Sequence, residues 1–257
     1  MRRRSLRRSG VFSAATALGM SFSAGLVDAG CYQRLRQTYT SHITGATASA
    51  ASHAVAGMWA DAARFAEAVA AFVLGLLIGA TLRHVQRRQH IRSAFAAVLI
   101  VEITLLALFI AGSAQSWVSV GLLLFFAALA MGMQTVTVTR VGRLRIYTTF
   151  HTGSLSKFAE AAISYLFWAW DRTRGRFRGR LARVLRVTPR RETMQQALMS
   201  AGVWFAFLLG ALAGVASVTA WGSAALVIAM LPLLWAVIVD WRKPAALGEK
   251  DPGTDME

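Results

Sequence analysis

A helix needs roughly 20 apolar residues to cross the hydrocarbon core of a bilayer. Segments at about 11–32, 62–82, 93–112, 117–138, 196–216 and 219–240 reach that length. Hydrophobic residues make up 56% of the 257, yet Lys and Arg number 28 against 12 Asp and Glu, so apolar runs and charge are segregated along the chain. A soluble domain would show amphipathic periods instead of runs that are apolar on all sides. The expected fold is therefore an all-α integral membrane protein.

Two intermediate segments, 33–58 and 139–170, do not fit a plain crossing. Their first halves carry Arg, Tyr, Thr, Ser and His, and only Gly45 to Gly57 and Ser154 to Trp170 read as helix. Basic residues decide the orientation. If neither segment crosses, one side holds Arg2, Arg3, Arg4, Arg7 and Arg8, four more in 83–92, thirteen in 139–193 and three in 242–250, which is 25 of the 28. Lys and Arg collect on the cytoplasmic side, so both termini are expected there, in a bacterial cytoplasmic (inner) membrane. Net charge of +16 would otherwise suggest nucleic acid, but this topological use accounts for it and no nucleic-acid partner is expected. The basic, then apolar N-terminus also resembles a signal peptide; its length and its later counterpart favour a retained first helix.

That counterpart belongs to an internal repeat. RLRQTYTSHITG (Arg34 to Gly45) matches RLRIYTTFHTG (Arg143 to Gly153), with Tyr39, Thr40, Thr44 and Gly45 aligned to Tyr147, Thr148, Thr152 and Gly153. Upstream, Gly25 pairs with Gly132 and Asp28 with Thr135; downstream, FVLGLLIG (Phe72 to Gly79) pairs with FLLGALAG (Phe207 to Gly214). Three spans per half is an odd number, so the second half must lie upside down, a plan common among secondary transporters. The expected division is a first repeat over 1–112, an inverted second repeat over 113–243 carrying an Arg-rich cytoplasmic insertion at 171–195, and a disordered tail at 244–257.

GLVDA, the two TG turns and GMQ together resemble the YoaK-like family of bacterial multi-pass membrane proteins, whose domain has no known function. The resemblance implies the fold and no activity. Where that family's pattern reads MTGN and GMQNA, this chain has ITGA (Ile43 to Ala46) and GMQT (Gly132 to Thr135).

Candidate site residues follow from the repeat. Thr44-Gly45 and Thr152-Gly153 sit where a polar strand becomes a half-helix; Thr is a competent N-cap, and the free N–H groups behind it suit an anion. Tyr39 and Tyr147 flank the same turns. Asp28 and Glu102 are ionisable groups inside spans, which marks them as candidates for proton coupling or for buried structural hydrogen bonds. Cys31 is the single cysteine, His42, His53 and His151 lack carboxylate or Cys at ligand spacing, and no catalytic motif occurs, so neither metal, cofactor nor enzyme activity is expected. The sequence thus leaves two functions open: a transporter or channel for a small polar or anionic solute, with proton coupling, and a membrane scaffold or lipid-interacting protein. Asp171 to Arg191 suits an anionic lipid surface. The small residues of Gly45 to Gly57 and of the two GxxxG pairs suit helix packing or a homo-oligomer.

The charge count predicts that the first intermediate segment faces outward and the second faces the cytoplasm. In a Cys31→Ser background, an impermeant maleimide on intact cells should label Gln37→Cys and spare Gly142→Cys; the reverse pattern contradicts the assignment.

Overall fold

The structure is a computed structural model that describes residues 2–32, 34–89, 95–141, 144–147, 149, 151–173 and 192–242. The chain forms helices α1 (Arg2–Tyr32), α2 (Ile43–Val55), α3 (Trp59–Arg88), α4 (Ala96–Ser113) and α5 (Val120–Thr135). An antiparallel hairpin follows, β1 (Val138–Val141) with β2 (Leu144–Tyr147), Val138 opposite Tyr147. The chain then forms α6 (His151–Thr173), α7 (Glu192–Trp221), a 3₁₀ turn (Gly222–Leu226) and α8 (Val227–Arg242). The arginine-rich stretch 174–191 and the tail 243–257 lie outside the described residues.

Among the described residues, three helical stretches are long and apolar enough to cross a membrane: Trp59–Gln86, Ala96–Ser113 and Glu192–Arg242. Val120–Thr135 is apolar but shorter. The molecule is a helical membrane protein.

Local chemistry sets the boundaries. α5 starts where Ser119 accepts a hydrogen bond from the Leu122 N–H at 3.2 Å, the usual N-cap arrangement. α2 stops in a Schellman motif: Met58 N donates to His53 O and Gly57 N to Ala54 O, with Gly57 at φ 73°, a left-handed conformation that glycine adopts without steric cost. Gly222 at φ 68° similarly turns the chain between α7 and α8.

Two close helix pairs form the frame. Along α1 and α7, Leu18 meets Gly202, Gly25 meets the carbonyl of Phe207, and Gly30 meets Val218, so both helices run the same way. Along α3 and α5, Glu67 meets Gly121, the carbonyl of Phe72 meets Gly132, and Gly79 meets Met133, again in parallel. A Cβ added at Gly25, Gly132, Gly75 or Gly210 would collide with a backbone carbonyl of the facing helix. The bare Cα atoms are what permit this approach.

The remaining contacts repeat the same exchange. α2 packs on α3 as α6 packs on α7, α4 packs on α5 as α8 packs on α1, and α4 against α8 closes the ring. α8 runs against α1: Gly19 faces Pro232 and the Ser23 hydroxyl donates to Ala229 O at 2.8 Å. The main apolar core lies inside, with Phe109, Leu26, Leu124, Met131 and Leu233 fully buried.

Gly25→Ala and Gly132→Ala should each destabilise the protein by about 1–3 kcal/mol, the usual cost of overpacking. Gly45, with nothing within 4 Å of an added Cβ, should tolerate Ala and gain about 0.5–1 kcal/mol of helix propensity. Thermal unfolding in detergent reads all three, and unchanged stability in the first two variants contradicts the packing described.

Candidate functional site

The two intermediate segments converge on a single turn of α1. After α1 the chain makes a tight bend in which Arg36 and Gln37 have φ of 49° and 61°. Left-handed backbone at two side-chain-bearing residues is unfavourable by itself, and hydrogen bonds downstream hold it. Asp28 Oδ1 accepts from Thr40 N at 2.7 Å, from Thr40 Oγ1 at 2.8 Å and from Ser41 N at 2.9 Å. From the other side Arg64 Nε donates to Thr38 Oγ1 at 3.2 Å. Asp28 is buried, and its Oδ2 faces His42 Nε2 at 3.5 Å. α2 therefore starts level with Asp28, inside the end of α1, and its N-cap is His42.

The second segment repeats this arrangement with different side chains. Thr149 Oγ1 donates to Thr135 Oγ1 at 2.8 Å, where Thr135 aligns with Asp28 and Thr149 with Ser41. A neutral hydroxyl thus does on α5 what a carboxylate does on α1. α6 starts at His151, whose ring packs on Phe207 with centroids 3.8 Å apart. Because the Phe207 carbonyl seats against Gly25 and His42 lies against Asp28, the two imidazoles flank residues 25 to 28, one turn of α1. Burial, and after it the His42 imidazole, lower the pKa of His151 from 6.5 to about 4. Both His151 ring nitrogens are buried without a hydrogen-bond partner.

The residues expected from sequence distribute as follows. Thr44 and Gly45 are exposed in the first turn of α2, and Thr152 is exposed and Gly153 partly buried in that of α6. Both threonines lie one residue inside their helices, so the expected Thr caps are replaced by His42 at the N-cap of α2 and by a start at His151. Among the described residues the backbone N–H groups of Thr44 and Gly45 meet no acceptor. Tyr39 stacks between Tyr32 and His42, at 4.4 and 4.5 Å. Tyr147 lies in β2, and its side chain is outside the described residues. Glu102 is fully buried in α4. The sequence reading set His42 and His151 aside because neither has a carboxylate or Cys at ligand spacing; the fold brings both of them to the convergence.

Three variants separate anchoring from proton handling. Asp28→Ala should cost about 3 kcal/mol by stranding buried donors, against about 1 kcal/mol for Thr135→Val. For His151, the unfolded chain takes up a proton near pH 6.5 and the folded chain only near 4, so stability is lost as pH falls between those values. His151→Phe should abolish that loss. Melting curves from pH 7 to 4 check both, and an identical pH slope in His151→Phe contradicts the buried neutral imidazole.

A family model described as "Protein of unknown function (DUF1275)" matches residues 16–239. No curated protein and no solved structure matches the chain.

Proposed function

This chain belongs to the DUF1275 family, in keeping with the YoaK-like resemblance, and we propose that it is a proton-coupled secondary transporter or channel for a small polar or anionic solute. The carrying observation is the convergence of the α2 and α6 starts, with His42 and His151, on the Gly25 to Asp28 turn. Helix N-termini present free N–H groups and the positive end of the helix dipole. Two of them meeting inside a membrane protein favour a negatively polarised ligand, and imidazoles add hydrogen-bond donors.

The proposed architecture is six spans in a 3+3 inverted repeat with α2 and α6 re-entrant. Helix directions support it. α8 runs against α1, its end meets the start of α4 through Asp240, and α4 runs against α5 across the Gly112–Leu123 contact. Followed round this ring, α5 points opposite to α1, its repeat partner. The 51-residue stretch Glu192–Arg242 reverses at the 3₁₀ turn and supplies two of the six spans. The distribution of arginines supports an inner-membrane location with both termini cytoplasmic, and the stretch at 174–191 as the contact with anionic lipid. The reading is not enzymatic. Of the two carboxyls that the sequence marks for proton coupling, Asp28 is committed to its turn through Oδ1, and Glu102 is the better coupling group.

Phosphate, sulfate and acetate, tested by thermal shift and then by flux into proteoliposomes, provide the first probes. A transported anion should raise the melting temperature. Gly45→Val and Gly153→Val should each abolish that shift and the flux in a folded protein, and the double variant should be no worse than either single. Normal flux in either folded single variant contradicts a shared site, while roughly additive losses of stability without any ligand effect favour the scaffold reading.

A further inference from the structure

Four helices, α1, α4, α5 and α8, enclose one level of the core, and separate contacts agree on what occupies it. Across α4 and α5, Gly112 lies against Leu123; counting back to Glu102 and forward to Gln134 gives about 15 and 16 Å, the same depth. Gln134 Nε2 donates to Met20 O of α1 at 3.0 Å. Asp240 Oδ2 accepts from Phe95 N at 2.8 Å and Ala96 N at 3.1 Å, so counting inward brings Glu102 level with Leu234 of α8, within about one turn of Pro232. Pro232 in turn packs on Gly19, beside Met20. The circle closes.

At this level Glu102 is 1% and Gln134 0% exposed, and Glu102 Oε2 and Gln134 Oε1 are both buried without a hydrogen-bond partner. An ionised carboxylate here would lack compensation. The charged groups facing these elements are Asp28 of α1, about 12 Å along that helix from Met20 and bonded to Thr40 and Ser41, Glu67 of α3, at Gly121 near the start of α5, Arg83 of α3, bonded to Val136 O and lying over the Phe95 ring, and Asp240 of α8, bonded at the start of α4. Asp240 acts at the Phe95 end, about 10 Å along α4 from Glu102; Arg83 is nearer, about 3 Å along α5 beyond Gln134, and is taken up by the Val136 carbonyl and the Phe95 ring; Met20 and Leu233, from α1 and α8, are uncharged. A hard metal cation takes six or more oxygens or keeps its waters, and Glu102 and Gln134 together offer at most three side-chain oxygens. A proton needs only one acceptor. Gln134 spends its Nε2 on Met20, and its Oε1, buried without a partner, can serve as that acceptor.

We propose that Glu102 carries a proton and donates it to Gln134 Oε1, forming a carboxyl–carboxamide proton site inside the α1–α4–α5–α8 ring. Its role as the coupling site rests on the transporter reading; its existence as a proton site does not. Giving up the proton to water replaces a donor–acceptor pair by two facing acceptors, which repel and loosen α4 from α5. Gln134 is thus a positioning residue for the Glu102 proton.

Infrared spectroscopy of the full chain in lipid nanodiscs tests this at neutral pH, where exposed carboxyls are ionised. The wild type should show a carboxylic-acid C=O stretch. That band should vanish in Glu102→Gln, persist in Asp28→Asn, and move to higher frequency in Gln134→Leu, or in Gln134→Met should Leu disturb folding. A wild type with no such band, a band that survives Glu102→Gln, or an unmoved band in the folded Gln134 variant overturns the proposal. The band does not depend on transport, so its presence without solute flux would count against the transporter reading alone.

Discussion

A carbonyl oxygen set against a glycine with no Cβ is what allows α1 to lie against α7 and α3 against α5 at backbone contact. In a bilayer, helices gain little from excluding water between them, so close van der Waals approach carries the association. The same two positions do this twice: Gly25 and Gly210 in one pair, Gly132 and Gly75 in the other. Every other element then takes its place from these two pairs. α2 and α6 ride on the outer members, α3 and α7, while α4 and α8 brace the inner members, α5 and α1.

The halves share this frame and differ in chemistry. On α1 the turn into the half-helix is held by the Asp28 carboxylate, and on α5 by the Thr135 hydroxyl. His42 lies against Asp28 and His151 stacks on Phe207, so the two starts bring their imidazoles to one turn of α1 in unlike surroundings. A symmetric scaffold with asymmetric lining suits a solute site with a defined orientation. The Glu102–Gln134 level adds a second asymmetry, since the residue aligned with Gln134 in the first half is Val27.

Much of the frame was legible because it depends on local rules. Long apolar runs, the RLR…YT…TG repeat and the GxxxG pairs each report on neighbouring residues or on an offset between halves, and Gly25, Gly75, Gly132 and Gly210 take up matching contacts. The half-helix starts were misread by one or two residues, because Thr looks like a cap whereas the backbone turns earlier, at His42 and His151. Asp28 was recognised as buried, but its partners Thr40 and Ser41 depend on a bend through left-handed Arg36 and Gln37 that no glycine announces. Gln134 was quoted as part of a motif without a role, since its level with Glu102 appears only when four helices are placed in register.

The central claim is that α2 and α6 begin beside each other on the Gly25 to Asp28 turn. Its most direct test is cross-linking of His42→Cys with His151→Cys in a Cys31→Ser background, in membranes, with a short bifunctional maleimide. The account predicts efficient cross-linking within one chain, unaffected by dilution of the protein in lipid and absent from either single-cysteine variant. Two cysteines that each react with a monofunctional maleimide yet never join would contradict it.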